Sequence, residues 1–354
     1  MKRLRHVVVA FLAAALTATW LPAVSAAAPL VIPTPPREGG LVVPEGPRVS
    51  AESWLVYDAD ADLILGSNNA DAERAMASTT KIMTALVALK YGNPDDLVSV
   101  STTAADVGEA EIGLVAGERF PLRLLITALV ARSANDAAMA VAEHVGGTVE
   151  GFVDMMNTEA AGLGLRHTHF ENPHGLDAVG HYSSAADLLT MALAAMEYPE
   201  FREMTTTERA TFPPAPDGTE RVIESTNHLL DDYPGVFGVK TGFTGEALLV
   251  FVAAAERDGR TLFAVVMGSE GAGGHFADAT SLLDWGYGHF RGVGIVAAGQ
   301  PYDPPEPERV VEVVPETEPE PVVVERVRSS DGEPPGLAAA LGWIGLVVER
   351  LSGG

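Results

Sequence analysis

The chain has 354 residues, a formal net charge of −25 and no cysteine. This length accommodates one large domain with appendages or two ordinary domains, and 47% hydrophobic residues can supply a sizeable core. The acidic balance argues against nucleic acid and anionic lipid as partners, and the lack of cysteine excludes disulfides and thiolate zinc sites.

The first 28 residues have the composition of a secretory signal peptide. Three basic residues precede an apolar run over residues 7–16, and an alanine-rich cleavage sequence ends at Ala28. We therefore predict that residues 1–28 direct export and are no part of the fold, with an uncleaved N-terminal anchor as the alternative. Residues 29–49 are rich in Pro and Gly, which predicts a flexible lead-in.

Residues 50–299 are predicted to form the folded domain, which opens with a β-hairpin over residues 54–65. Helical periodicity follows over residues 78–89, 121–130, 136–145, 149–163 and 183–196. Strand patterns then cover residues 205–212, 222–225, 236–240, 247–255 and 260–267, and a last helix covers 275–289. Strands at both ends around a helical middle predict an α+β fold, with one sheet assembled from distant segments and a helical insert.

The C-terminal composition differs from that of the domain. Residues 300–335 are rich in Pro, Glu and Val, which predicts an extended linker. Within the tail, residues 336–354, an apolar run of about 13 residues is shorter than the roughly 20 that span a bilayer. An interfacial membrane anchor and a helix that packs on a partner both remain open for this tail.

Ser78 and Lys81 form an S-x-x-K motif at the predicted start of the first helix. The spacing places both side chains on one helix face, where a base could take the proton of the serine hydroxyl. A lysine acts as that base only when burial or a nearby cation lowers its pKa. The apolar helix supplies the burial, and Lys240 could be the nearby cation.

Ser133 and Asn135 lie in a short link between two predicted helices, so both side chains could point into one cleft. A hydroxyl there could pass a proton toward a leaving amine, and the amide could hold a substrate while contacting Lys81. The alternative is structural, since both residue types commonly cap a helix such as the one predicted to begin near Asp136.

Lys240, Thr241 and Gly242 come at the end of a predicted strand. A cation and a hydroxyl at this position suit a substrate carboxylate, and a glycine permits close approach of another backbone. An ordinary edge-strand lysine would be the usual interpretation of these three residues in isolation. Their occurrence after the other two motifs favours a site.

The three motifs in this order resemble the active-site signature of the serine DD-peptidases and serine β-lactamases. The surrounding sequence resembles the low-molecular-mass penicillin-binding proteins, which are serine-type D-Ala-D-Ala carboxypeptidases, over roughly residues 50–290. The resemblance is carried by residues 77–86, 132–138, 170–177, 181–183, 227–229 and 234–244. It implies a β-lactamase/transpeptidase-like fold, in which an antiparallel sheet is flanked by helices.

The resemblance also implies an activity and its residues. Ser78 would attack the carbonyl between two D-alanines of a peptidoglycan stem peptide, with Lys81 as general base. Ser133 and Asn135 would relay the proton and position the substrate. The substrate carboxylate and oxyanion would be held by Lys240, Thr241, Gly242 and Phe243, the last through its backbone amide together with that of Ser78. β-Lactams would acylate Ser78, and no metal or cofactor is expected.

The chain departs from the family pattern at two positions. Leu248 stands where many members have glycine, and Leu124 where many have aspartate. The larger Leu248 side chain is expected to narrow the substrate groove, which puts substrate preference rather than catalysis in doubt. Residues 301–335 are also too few and too Pro-rich to form the β-rich domain that some members carry after the catalytic one.

Three alternatives come from other classes. A class A β-lactamase shares the motifs, but residues 170–175 resemble a carboxypeptidase loop more than the lactamase loop. A zinc peptidase could use the histidines and aspartate at His167, His169, His174, Asp177 and His181, although no H-E-x-x-H motif is present. A non-enzymatic protein that binds stem peptides or division partners would have no use for the Ser78, Lys81 and Lys240 set.

Overall fold

A five-stranded antiparallel sheet organises residues 46–289, the part of the chain that the computed structural model describes. Its strands are β1 Ser53–Asp58, β2 Leu63–Asn68, β7 Val236–Thr244, β8 Leu248–Arg257 and β9 Arg260–Ser269. They lie in the order β2-β1-β9-β8-β7. Strand β1 from the start of the domain pairs directly with β9 from its end, with Trp54 opposite Val266. The sheet is therefore assembled from distant segments, as predicted.

Two small antiparallel ribbons lie apart from this sheet. One joins β3 Leu97–Ser99 to β4 Arg119–Pro121, and the other joins β5 Arg209–Phe212 to β6 Arg221–Glu224. The turn at Asp217-Gly218 connects the second pair, as the sequence predicts, because Gly218 supplies a φ of +87°. The sequence did not indicate β3 and β4, and it did not show that β5 and β6 leave the main sheet.

Helices fill the region between the N-terminal and C-terminal strands. They are α1 Lys81–Tyr91, α2 Thr102–Ala105, α3 Leu122–Ala131, α4 Asn135–Gly146, α5 Val149–Leu163, α6 Ala185–Met196, α7 Pro199–Thr205, α8 Leu229–Asp232 and α9 Gly274–His289. The hydroxyl of Ser184 caps α6 by accepting from the Asp187 amide at 3.2 Å. Residues 199–205, of which Thr205 was predicted to begin a strand, form α7 instead, with Pro199 in its first turn, where proline is tolerated.

Each face of the main sheet packs against a separate hydrophobic core. On one face Leu55, Val252 and Val265 lie in the same core as Ile82 of α1 and Leu188 of α6. The opposite face packs against α9, whose buried residues there are Ala279, Leu282, Leu283, Trp285 and Tyr287. The alternation of side chains along a strand lets one sheet serve both cores, which gives the α+β sandwich that the fold prediction requires.

Several predicted segments lie outside the described residues: the signal peptide over 1–28, the linker over 300–335 and the tail over 336–354. Most of the predicted lead-in over 29–49 also lies outside them. Within residues 46–289, no helix combines the length and apolar character needed to cross a bilayer.

Candidate active site

Ser78 lies in a single 3-10 turn, Ala77–Thr80, which we call the nucleophile turn. The sequence placed Ser78 in the first turn of the following helix, but α1 begins only at Lys81. Ala77 has a φ of +48°, a left-handed conformation that a residue with a Cβ rarely adopts. The Thr80 hydroxyl donates to the Ala77 carbonyl at 2.8 Å and holds the turn closed.

The Lys81 ammonium makes three contacts that bring distant segments together. Its Nζ donates to Ser78 Oγ at 3.0 Å, to Asn135 Oδ1 at 2.7 Å and to the His174 carbonyl at 2.5 Å. The side chain is fully buried, with an exposed fraction of 0%. A buried lysine with three acceptors is held in one position, and one of the acceptors is the predicted nucleophile.

The electrostatic surroundings favour the neutral amine of Lys81, in which Nζ keeps two N–H donors and the Ser78 hydroxyl becomes the donor of their 3.0 Å contact. Burial lowers the pKa of Lys81 well below its usual range, and the Lys240 cation lowers it further, whereas Asp136 acts in the opposite direction. Asp136 is itself buried and accepts backbone N–H bonds from Leu114 and Ala137. A lysine with a lowered pKa can remove a proton near neutral pH, which meets the condition predicted for the general base.

Ser133 lies in the link between α3 and α4, whereas Asn135, which was also predicted to lie in that link, is the first residue of α4; both are buried. Ala134, rather than either of them, is the N-cap of α4, and no side chain caps that helix. The capping alternative is therefore wrong. Asn135 uses its amide for Lys81 and for the Gly108 carbonyl, to which Nδ2 donates at 3.0 Å. Ser133 has a φ of +66°, so its backbone is held in an unfavourable conformation beside Asn135.

The Lys240, Thr241 and Gly242 motif lies inside strand β7, which continues to Thr244, rather than at the strand end that the sequence indicated. A Cβ on Gly242 would lie 2.9 Å from the Ser78 amide nitrogen. Only glycine therefore allows β7 to pass this close to the nucleophile turn. The approach places the backbone of β7 beside the Ser78 amide.

Lys240 is buried, and burial lowers its pKa to about 7, with Arg132 as a second cause. Its Nζ donates to the Thr241 carbonyl at 3.0 Å. The Thr241 hydroxyl lies 2.6 Å from the Thr226 hydroxyl. Phe243, which follows Gly242 in β7, exposes 42% of its surface.

A loop of residues 169–183, which we call the histidine loop, closes one side of the site. It supplies the His174 carbonyl to Lys81 and the Pro173 carbonyl to the Thr84 hydroxyl, which donates at 2.6 Å. A Cβ on Gly175 would lie 2.0 Å from the Ala77 carbonyl oxygen. The loop backbone therefore packs directly on the nucleophile turn.

The histidines of the zinc alternative have separate partners. His174 Nδ1 accepts from the Leu176 amide at 3.2 Å, His181 Nδ1 accepts from the Glu171 amide at 3.0 Å, and His169 Nδ1 donates to the Gly180 carbonyl at 3.0 Å. Across residues 46–289, no three His, Cys, Asp or Glu side chains come together in a way that could hold a metal ion.

Sequence reasoning missed several residues of the site. Thr226, the Gly108 carbonyl and the His174 carbonyl contact predicted site residues, and Arg132 acts on Lys240 through its charge. Arg132 and His174 lie in segments 132–138 and 170–177, which carry the family resemblance, so the sequence held a signal for both. Backbone carbonyls leave no signal in side-chain identity, and the sequence could not have indicated Gly108.

The geometry as a whole defines a serine acyl-transfer site: a half-buried serine, a buried lysine with a lowered pKa and an amide held in one orientation. At Gly242, strand β7 passes beside the Ser78 amide, where a developing oxyanion could be held. This is the class of site that the three motifs predict.

Known proteins share this sequence and fold. The profile of the Peptidase S11 family, described as D-alanyl-D-alanine carboxypeptidase, matches residues 41–271. D-alanyl-D-alanine carboxypeptidase DacB2 of Mycobacterium tuberculosis (strain ATCC 25618 / H37Rv) is 37% identical over 259 residues, which cover 70% of this chain and 85% of the relative. DacF of Bacillus subtilis (strain 168) is 36% identical over 246 residues, covering 68% of this chain and 63% of that relative, slightly under two thirds. The crystal structure of the Streptomyces K15 DD-transpeptidase matches with a TM-score of 0.65 at 32% identity, covering 69% of this chain and 99% of that one.

The chain belongs to the D-alanyl-D-alanine carboxypeptidase family, Peptidase S11, and is a serine-type peptidase. The fold prediction and the family resemblance are confirmed. Membership of this family supports the carboxypeptidase function over the three alternatives, which were a class A β-lactamase, a zinc peptidase and a non-enzymatic binding protein.

Proposed function

We propose that the enzyme removes the terminal D-Ala from peptidoglycan stem pentapeptides through an acyl-enzyme on Ser78. The observation that carries this proposal is the position of the fully buried Lys81 side chain, whose Nζ is 3.0 Å from Ser78 Oγ and 2.7 Å from Asn135 Oδ1. A base at hydrogen-bond distance from a hydroxyl is the arrangement that nucleophilic catalysis needs.

Acylation begins when Ser78 Oγ attacks the carbonyl carbon of the penultimate D-Ala. The serine proton passes to the neutral amine of Lys81, and the carbonyl oxygen gains a negative charge. The backbone amides of Ser78 and Phe243 stabilise that charge, which is supported by the close approach of β7 to the nucleophile turn. The C–N bond then breaks, and the leaving D-Ala amine receives the proton held by Lys81 through the Ser133 hydroxyl, which leaves Lys81 neutral again.

The terminal carboxylate of the substrate is held by Lys240 and Thr241. Lys240 is buried in strand β7, and a carboxylate bound beside it favours its charged form. The Thr241 hydroxyl, which shares a hydrogen bond with Thr226, offers a donor next to it. This pair selects peptides with a free C-terminus.

Deacylation completes the cycle. Water attacks the ester carbon, its proton passes to Lys81, and the ester C–O bond to Ser78 Oγ breaks as the oxygen regains a proton. The products are the shortened peptide and the free serine. A β-lactam ring offers the same carbonyl to Ser78, and its opening leaves the amine attached, so the adduct is expected to persist.

The location of the enzyme is the cell envelope. Export is supported by the basic and apolar composition of residues 1–28 and by the peptidoglycan substrate of the family.

The tail over 336–354 is proposed to associate weakly with the membrane. Deleting residues 301–354 would then leave catalysis intact and move the protein from the membrane fraction to the soluble one, and unchanged fractionation would contradict the anchor.

Intact mass spectrometry after incubation with benzylpenicillin tests the chemistry. We expect a long-lived single adduct on the wild type and on Ser281→Ala, an exposed control on α9, and no adduct on Ser78→Ala. An adduct that disappears within the mixing time would indicate a β-lactamase. An adduct on Ser78→Ala would overturn the nucleophile assignment. Release of D-Ala from a pentapeptide, and much slower release of D-alaninamide from its C-terminal amide, then tests the substrate.

A further inference from the structure

We propose that His181 is a positioning residue for the nucleophile, acting through the Thr80 hydroxyl on the Ala77 carbonyl. The inference rests on the proposed function of Ser78 and adds a residue from the histidine loop that contacts neither substrate nor the reacting atoms. Thr80 lies in the nucleophile turn, whereas His181 is 101 residues further along the chain.

The direction of every hydrogen bond in this chain of contacts is determined. The Glu171 amide is a donor only, so His181 Nδ1 is the acceptor of their 3.0 Å contact. The neutral ring therefore carries its proton on Nε2, which donates to Thr80 Oγ1 at 2.8 Å. The Thr80 hydroxyl in turn donates to the Ala77 carbonyl at 2.8 Å. The histidine loop thus controls the orientation of the Ala77 peptide group.

Ala77 is the residue whose conformation sets the position of Ser78. Its φ of +48° is unfavourable for alanine, so other contacts must hold it there. Two contacts converge on its carbonyl oxygen, the Thr80 hydroxyl and the closely packed Gly175 backbone. Without the hydroxyl, the turn can relax toward an ordinary φ and carry Ser78 Oγ away from Lys81.

The surroundings of His181 keep its ring neutral. Burial is the main cause that lowers its pKa to about 4, and the charges of His169 and Lys81 add to it, while Asp177 acts in the opposite direction. The edge of the ring packs against Phe170 at a centroid distance of 6.0 Å. A proton on Nδ1 would face the Glu171 N–H, so the chain of hydrogen bonds requires the neutral form.

A matched pair of variants at Thr80 tests the proposal. Thr80→Val preserves the shape and removes the hydroxyl, whereas Thr80→Ser preserves the hydroxyl. Benzylpenicillin acylation is measured as a rate constant per active site, with active sites counted by the final adduct. We expect Thr80→Val to acylate about tenfold to a hundredfold more slowly, with unchanged affinity for an unreactive D-Ala-D-Ala peptide, and Thr80→Ser to remain close to the wild type.

His181→Asn supplies the second measurement, because the shorter amide can accept from the Glu171 N–H but does not reach Thr80. It should slow acylation as Thr80→Val does, and the double variant should be no slower than the slower single one, since both break the same chain. Acylation by Thr80→Val at the wild-type rate, even with a lowered melting temperature, would overturn the positioning role. If wild-type Ser78 is not acylated, the proposed function fails instead, so the two failures are distinguishable.

Discussion

Asn135 accepts a hydrogen bond from Lys81 Nζ at 2.7 Å through Oδ1, and this amide cannot turn over. Its Nδ2 donates to the Gly108 carbonyl at 3.0 Å, which requires a donor on that side. Lys81 therefore meets a neutral oxygen of fixed orientation. A neutral acceptor holds the amine in place while adding less to its basicity than a carboxylate would.

Asn135→Asp should move the acid limb of the pH profile of the acylation rate constant to higher pH. A carboxylate beside Lys81 favours the ammonium form and raises the pKa of Lys81 toward its usual range, so less of the base is neutral at pH 7. The measurement is the benzylpenicillin acylation rate constant against pH. Asn135→Ala is the control: it removes an acceptor of the ammonium form, so its limb should not rise. Equal limbs in wild type and Asn135→Asp would contradict the assignment of Lys81 as base.

For substrates that carry a C-terminal carboxylate, we expect Lys240 to produce a descending limb in the profile of kcat/KM against pH. Burial lowers its pKa to about 7, so in the free enzyme the cation is lost as pH rises through that value, and kcat/KM should fall. Arg132→Gln removes the second cause of the lowered pKa of Lys240 and should shift this limb to higher pH. The C-terminal amide of the same peptide should show neither limb nor shift, and a shared limb would argue against carboxylate binding by Lys240.

Leu248 has a φ of +56°, the left-handed conformation that favours glycine, at the position where the family pattern has glycine. A leucine there carries a penalty of about 1 kcal/mol, which Leu248→Gly would relieve while also losing a half-buried side chain. Leu249→Gly, in the same strand and also half-buried, loses a side chain without this relief. Urea unfolding should therefore show Leu248→Gly to be less destabilising than Leu249→Gly by about 1 kcal/mol. Equal losses would show that the strand accommodates Leu248 without strain.

Three buried histidines predict acid sensitivity of the fold. Burial is the first cause that lowers the pKa of His174 to about 3 and those of His181 and His275 to about 4, below the ordinary 6.5. The unfolded chain therefore binds more protons, and the stability that is present in full above pH 6.5 is lost as pH falls toward 4. His228 adds to the shift of His275 and Asp278 opposes it.

The variant His275→Phe isolates the contribution of His275 to this pH dependence of stability. The ring of His275 lies 3.9 Å from that of Phe276, and its Nδ1 has no hydrogen-bond partner within residues 46–289, so an apolar ring suits the position. Below pH 6.5, the slope of the unfolding free energy against pH should decrease by up to about 1.4 kcal/mol per pH unit, the value for one proton. The slopes are measured by urea unfolding at a series of pH values. An unchanged slope would contradict the neutral state of His275.

The sequence by itself determined the structural features that depend on residues close together along the chain. Helix α5 has the predicted bounds, and the hairpin turns at Asp217-Gly218 and Asp258-Gly259 lie where they were expected, because periodicity and turn residues act within a few positions. The three motifs also named the residues that meet at Lys81 and beside Ser78. The boundary of α1 was misplaced because a 3-10 turn and an α-helical turn have similar sequence requirements.

Only the tertiary structure decided how those residues act together. The contacts of Lys81 with Asn135 and His174 join residues 54 and 93 positions apart, and no local pattern encodes such distances. The left-handed conformations of Ala77 and Leu248, the separate β5–β6 ribbon and the chain from His181 to Ala77 likewise depend on packing between distant segments. Long-range packing and burial overrode local preference there, and burial is also what lowers the pKa of Lys81.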